Sequence, residues 1–360
     1  MLEKYIDQFE YYDVFNHIKK SGGTNYIYGA GSLALRIYNR LKENEIEVEG
    51  FLVDDCFYRN ACIFDIDVVK ISEIKRKSIV CNVVIGVADY TLGKNIKRIS
   101  QVKSVFYIVD APYKDIVVTN ESLKNNISLF EQTIACLADS ESVNCFETWI
   151  KCGLSGRADY CYPYAKNEQT YFDNDIFRIS SQEVLLDIGA YTGDSVELFL
   201  KTNEYKFSYI YCVEGDPDNY GKLTENINRL GVGDKTRTFF EICGQTDSRV
   251  SFETAYNEKD GYYIRENENG TITPKSIDHL LSQRERVTIL KANFPGILSV
   301  LRGARDVISE DKPKLAIMAG WGPMLLPELV RFIKSNLPDY KIHLRFASAM
   351  PSRIMLLATI

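Results

Sequence analysis

The sequence lacks most of the features that announce a metal centre, a disulfide scaffold or a membrane protein. It has three histidines and two tryptophans in 360 residues, and its nine cysteines (Cys56, Cys62, Cys81, Cys136, Cys145, Cys152, Cys161, Cys212 and Cys243) form no C-x-x-C pair. His17, His279 and His343 are not at ligand spacing, so no zinc ribbon or other metal site is expected. An odd number of scattered cysteines fits no disulfide framework and reads as reduced thiols in a cytoplasmic protein. Basic blocks are also missing. With 43 Lys plus Arg against 49 Asp plus Glu, the net charge of −6 disfavours a nucleic-acid partner. The opening MLEKYIDQFE is charged throughout and contains no apolar core of signal-peptide length. Ile79 to Ala88, the most apolar stretch, falls far short of the roughly 20 residues that span a bilayer, so no transmembrane segment is expected. What remains, 45% hydrophobic and 26% charged residues, is ordinary for a globular protein and excludes disorder and coiled coil. At roughly 150 residues per domain, the length predicts two domains.

The first predicted domain spans 1–115. After an amphipathic helix from Leu2 to about Lys20, NYIYGAGSLALRIYNRLKENEIEVEGFLVDD reads as a strand (Tyr26 to Tyr28), a glycine turn, a helix (Ser32 to about Asn44) and a strand (Val48 to Val53). Gly29-Ala30-Gly31-Ser32-Leu33-Ala34 fits G-x-G-x-x-A, and Asp54 stands at the tip of the next strand, about 25 residues on. That spacing suits a nucleotide, with phosphates over Gly29, Gly31 and Ser32 at the helix N-terminus and Asp54 on the ribose; an empty scaffold domain is the alternative. Apolar runs at 79–87 and 105–109 extend a small parallel sheet. No Tyr-x-x-x-Lys pair follows it, which disfavours a nicotinamide-dependent sugar-nucleotide enzyme.

Residues 116–180 are expected to form a helical connector, rich in tyrosine towards its end (Tyr160, Tyr162, Tyr164, Tyr171), that packs on the second domain. The second domain, 181–360, opens with EVLLDIGAYTGDSVELFLK, another strand, glycine turn and helix. Asp187 ends the strand, Gly189, Ala190 and Gly193 form the turn, and Glu214-Gly215 ends the following strand, YIYCVEG. A carboxylate at that second strand tip, about 25 residues beyond the first glycine, can hold both ribose hydroxyls of an adenosine cofactor. Strands at 237–243 and 287–291, a helix from Pro295 to about Ser309, a strand at 314–318, a helix at 326–335 and strands at 340–346 and 353–358 complete the pattern. Only Ala347 to Ser352 joins the last two strands, too short for a parallel crossover, so they form an antiparallel hairpin. The fold class is therefore α/β: two Rossmann-like domains, the second a class I methyltransferase fold with a terminal antiparallel hairpin.

YFDNDIF, LLDIGAYTGDS, YCVEGDPDNYGKL, SIDHLL, ILKANFPGILSVLRGARDVI with KPKLAI, and the closing strands resemble the FkbM-type methyltransferases over about Tyr171 to Ile360. The resemblance implies S-adenosylmethionine as cofactor, a carbohydrate or sugar-nucleotide hydroxyl as acceptor, and a cofactor site lined by Asp187, Gly189, Glu214 and the region Gly244 to Asp247, with Asp247 near the adenine. The N-terminal domain looks like the small Rossmann-type domain in front of sugar-modifying transferases.

One departure bears on catalysis. Where the family usually carries K-x-D-x-E-G-x-E, this chain reads Lys291-Ala292-Asn293-Phe294-Pro295-Gly296-Ile297-Leu298, and MAGWGP (Met318 to Pro323) replaces the tyrosine–histidine pair after the fifth strand. Asparagine is no base at neutral pH. Lys291 and Asn293 are the candidate catalytic residues, and three readings stand: transfer by alignment alone, a base from Asp278, His279 or Lys291, or a fold that binds a cofactor, sugar or partner without turnover.

Overall fold

The structure, a computed structural model, describes residues 2–10, 12–59, 62–87, 92–109, 117–166, 171–245, 249–254, 262–266 and 269–360. The chain divides into two compact units. Unit 1 comprises Met1–Ile127, Glu147–Ala165 and Ser348–Pro351, and unit 2 comprises Ser128–Phe146, Lys166–Ala347 and Ser352–Ile360. The segment 116–180, expected as one connector, is thus divided between them, its helix Ser140–Ser155 contributing residues to each.

Unit 1 holds a six-stranded sheet built from β1 (Thr24–Tyr28), β2 (Gly50–Val53), β3 (Cys62–Ile63), β4 (Ile66–Lys70), β5 (Cys81–Ile85) and β6 (Val102–Phe106), in the order β3-β4-β2-β1-β5-β6. Every pair is parallel except β3 with β4. β2 and β5 are buried along their whole length, as expected of strands covered on both faces; the one polar residue, Asn82 of β5, donates its amide N–H groups to Ser21, Gly22 and Asn25. The single N-terminal helix expected from Leu2 to Lys20 is instead two, Glu3–Phe9 and Val14–Ser21. Asp13 causes the break: it is extended, and its carboxylate accepts the N–H groups of Phe15 and Asn16, capping the second helix.

Unit 2 is built on β7 (Val184–Ile188), β8 (Tyr209–Glu214), β9 (Thr236–Phe240), the pair β10 (Val250–Thr254) and β11 (Tyr262–Glu266), β12 (Ile289–Ala292), β13 (Lys314–Met318), β14 (Lys341–Phe346) and β15 (Ile354–Thr359). Seven of these form one sheet in the order β14-β15-β13-β12-β7-β8-β9. The expected hairpin is present: β15 lies antiparallel between β13 and β14, with Phe346 opposite Ile354. The chain winds outward from β7 through β8 and β9, then returns to β12 on the other side of β7. This reversal opens a crevice at the carboxyl ends of β7 and β12, where open α/β sheets bind ligands. The antiparallel β10–β11 pair has no counterpart in the sequence reading.

The helix expected from Pro295 to Ser309 is shorter. It runs from Ile297 to Arg302 behind Gly296, whose φ of 89° is left-handed, so Pro295 lies outside it. Gly303 ends it where a Cβ would come within 2.5 Å of the Gly244 carbonyl, and a π-turn at Val307–Asp311 follows. Among the described residues, no helix is long and apolar enough to cross a membrane.

Candidate functional site

The crevice of unit 2 is organised by a buried ion pair. Asp187, next to last in β7, is completely buried, and its Oδ1 lies 2.8 Å from Lys291 Nζ on β12. Ser195, in the first turn of the helix Asp194–Thr202, donates its hydroxyl to the other carboxylate oxygen. Lys291 Nζ also donates to the Gly189 carbonyl at 3.1 Å and lies 5.4 Å from the centre of the Tyr171 ring. Burial pushes the Asp187 carboxyl above its ordinary value against the pull of Lys291 and Ser195. Burial opposes the Lys291 charge too, but Asp187 and Tyr171 outweigh it and hold the ammonium protonated. Lys291, expected as a candidate base, thus stands as a proton-bearing anchor of the glycine turn.

That turn runs from Gly189 to Gly193. Gly189 has a φ of 70°, and a Cβ there would sit 2.8 Å from Phe294 Cδ1 and 3.2 Å from the Asn293 carbonyl oxygen, so glycine is required on both conformational and packing grounds. Tyr191 is left-handed as well, at φ 51°, and half of its surface is exposed. The N–H groups of Gly189 and Ala190 donate to the Val213 carbonyl, while that of Tyr191 donates to Glu214 Oε2 at 2.7 Å. Glu214 Oε1 accepts the Asp216 N–H at 2.8 Å. Burial raises the Glu214 carboxyl above its ordinary value against these donors. The Gly215 N–H is a third backbone donor to this carboxylate, which leaves one of its roughly four lone-pair sites for a hydroxyl donor. Gly215 follows where a Cβ would lie 2.9 Å from Ile242 Cγ1.

Asn293 begins the loop after β12. Its Oδ1 accepts the Trp321 Nε1–H at 3.0 Å, joining the loops that follow β12 and β13. Asp278 and His279 lie apart from this arrangement. Ser276, not Asp278, caps the helix Ile277–Leu280 by accepting the His279 N–H. Asp278 instead accepts the N–H groups of Asp306 and Val307. Asp247 falls outside the described residues. Among the described residues, no cluster of His, Cys, Asp and Glu is placed to hold a metal ion.

Sequence reasoning placed Asp187, Gly189, Ala190, Gly193, Glu214 and Gly215 together, and the structure brings them to one strand-end crevice. It missed Ser195, Tyr171 and Trp321 as partners of Asp187, Lys291 and Asn293. Only Ser195 had a local signal, a hydroxyl in the first helical turn after the glycines.

In unit 1, Gly29 has a φ of 116°, and a Cβ there would lie 2.7 Å from the Gly86 carbonyl oxygen. Gly31 caps the helix Ser32–Glu43 with open space around its Cα. Asp54 follows β2, as expected, but its Oδ2 already accepts the Tyr28 hydroxyl at 2.7 Å.

Residues 187–339 match the family model described as the methyltransferase FkbM domain. No curated protein matches the chain. Among solved structures, the FkbM methyltransferase from Methylobacillus flagellatus KT shares 21% identity at a TM-score of 0.72, covering 96% of this chain and 92% of that one. The TrmK protein of M. capricolum, solved in complex with S-adenosyl-homocysteine, aligns with 50% of this chain and 62% of its own at 11% identity and a TM-score of 0.32. A ribosomal RNA methylase from Streptococcus thermophilus aligns with 50% of this chain and 87% of its own at 13% identity and a TM-score of 0.30. Residues 187–339, which match this family model, lie wholly within unit 2.

Proposed function

We propose that unit 2 binds S-adenosylmethionine in the crevice between β7 and β12 and directs its methyl group to a hydroxyl of a carbohydrate or glycan precursor. The observation that carries this reading is the pairing of the Gly189–Gly193 turn with Glu214 at the tips of adjacent parallel strands. The residues fit an adenosyl group: the turn is free of side chains at Gly189 and Gly193, and Glu214 keeps acceptor capacity for a ribose hydroxyl. When bound, the cofactor supplies an electrophilic methyl group on a cationic sulfur. Transfer to an acceptor hydroxyl would also release that hydroxyl's proton, which solvent water would take. Lys291 is protonated and tied to Asp187, so it does not take that proton. Asn293, its oxygen fixed by Trp321, retains amide N–H donors that would align an acceptor oxygen.

A second reading, a binding module without turnover, is favoured by the replacement of the family's acidic positions with Asn293, Pro295 and Leu298. Calorimetric titration with S-adenosylmethionine addresses both. Micromolar binding is expected, weakened tenfold or more by Glu214→Ala, equivalent to about 1.4 kcal/mol. Absence of binding at millimolar cofactor would overturn both readings. Methyl transfer to a glycan panel by Asn293→Asp but never by the native chain would select the binding module.

The N-terminal glycine turn has a narrower case for a nucleotide. Gly31 leaves room for a phosphate at the helix start, while Asp54 is shared with Tyr28. Titration of Gly31→Ala against nucleotides tests it.

A further inference from the structure

Unit 1 contains a cavity that neither glycine turn explains. It has a volume of about 430 Å³ and runs along Lys103 to Tyr107, that is, along β6 at the outer edge of the first sheet. No residue of β6 is fully buried, whereas all of β5 beside it is. The helix Val14–Ser21 contributes His17 and Lys20 to the lining, and Lys97 comes from the turn before β6.

The cavity is cationic in a chain whose net charge is −6. Its one lining carboxylate, Asp159, is bound by Arg157, with Nε 2.9 Å from Oδ1 and Nη2 on Oδ2. Lys20, Lys97 and Lys103 pair with no carboxylate among the described residues; Lys103 Nζ donates to the Ser21 carbonyl. Among the described residues, three positive charges are therefore left over in one concave space, where converging cations raise the local concentration of anions. Two aromatic rings join the lining: those of Tyr12 and His17 lie 5.5 Å apart with 32° between their planes. A few hundred Å³ is the size of a small-molecule site.

We propose that this cavity binds a small phosphorylated ring compound, of nucleoside diphosphate or sugar phosphate size, its phosphate oxygens on Lys20, Lys97 and Lys103 and its ring against Tyr12 and His17. The site is separate from the Gly29–Gly31 turn. The lysines gather near the amino ends of β1 and β6, Lys20 preceding β1 and Lys103 being second in β6, whereas the turn lies at the carboxyl end of β1. The proposal is also independent of what unit 2 binds.

The test is calorimetric titration of the full-length protein with uridine diphosphate, glucose 1-phosphate and inorganic pyrophosphate as separate arms. At least one of the first two is expected to bind in the micromolar range, more tightly than pyrophosphate; which one does so names the source of the phosphate. The double variant Lys97→Gln/Lys103→Gln should weaken that binding at least tenfold, and Lys20→Gln alone by a smaller factor, since exposed lysines are replaced without disturbing the core. Gly31→Ala, whose Cβ meets nothing within 4 Å, should leave it unchanged. No binding in any arm at millimolar ligand would overturn the proposal. So would pyrophosphate binding as tightly as both ring compounds, or binding that survives the lysine variant and is lost with Gly31→Ala.

Discussion

Lys291 and Asp187 are direct register partners on neighbouring parallel strands, and their charges meet 2.8 Å apart with both side chains out of solvent. Such a pair contributes little net stability compared with an apolar pair, but breaking it is costly because the surviving charge is stranded. Lys291→Met is expected to lower the unfolding free energy by about 3–5 kcal/mol. The double variant Lys291→Met/Asp187→Leu should recover most of that loss. Denaturant unfolding of the four proteins measures the cycle; a double variant as unstable as the sum of the single ones contradicts it.

Two glycines share a φ of 70° but differ in surroundings. Gly231 has nothing within 4 Å of an added Cβ, while Gly189 has Phe294 Cδ1 at 2.8 Å and the Asn293 carbonyl at 3.2 Å. Gly231→Ala should cost the left-handed strain alone, about 1–2 kcal/mol. Gly189→Ala adds the steric conflict, so its loss should be larger by about 1 kcal/mol or more, and it alone should abolish cofactor binding. Equal losses of stability at the two positions would refute this account.

Asp139 links the start of the helix Ser140–Ser155 to β14. It accepts hydrogen bonds from Ser142, and Arg345 and His343 reach it at 2.9 Å and 2.7 Å. Burial works against its charge, but donors from Arg345, Ser142 and His343 outweigh it and hold the carboxyl well below the usual carboxylate range. A group whose folded pKa is depressed adds stability above its unfolded value, about 4, and loses it as pH falls further. The native protein should therefore lose stability between about pH 5 and pH 2 more steeply than Asp139→Asn. Thermal unfolding across that interval checks the slope, and parallel curves would exclude the assignment.

The bond from Trp321 to Asn293 holds together the loops that follow β13 and β12. Trp321→Phe keeps one aromatic ring but removes the donor and part of the packed indole, so unfolding stability should fall by more than the ~0.5–1.5 kcal/mol of a lost hydrogen bond. The affinity for S-adenosylmethionine should stay within twofold of native, while any methyl-transfer rate should drop. Equal damage to both would place Trp321 in the cofactor pocket instead.

The glycine turns, the strand tips at Asp187 and Glu214 and the terminal hairpin were legible in the sequence because each follows from local rules: apolar runs, a left-handed position, a link too short to cross over. Partners from distant segments were not. Nothing near Asp187 signals that Lys291 neutralises it, since strand register brings them together across the sheet. The N-terminal helix break at Asp13 was legible in principle, because a capping residue interrupts the apolar period there. The helix after Gly296 was misjudged because Gly303 serves a contact with Gly244 that only tertiary packing creates.

The position of β15 bears on how the protein is made. This strand is an interior member of its sheet, flanked by β13 and β14, yet it is synthesised after both. Until β15 pairs, the hydrogen-bonding edge of β13 on that side is open and β14 has no partner in the sheet. Such unpaired edges are the surfaces on which nascent chains misassociate. Because β14 reaches the sheet only through β15, neither strand of the hairpin can take its place before β15 pairs with β13.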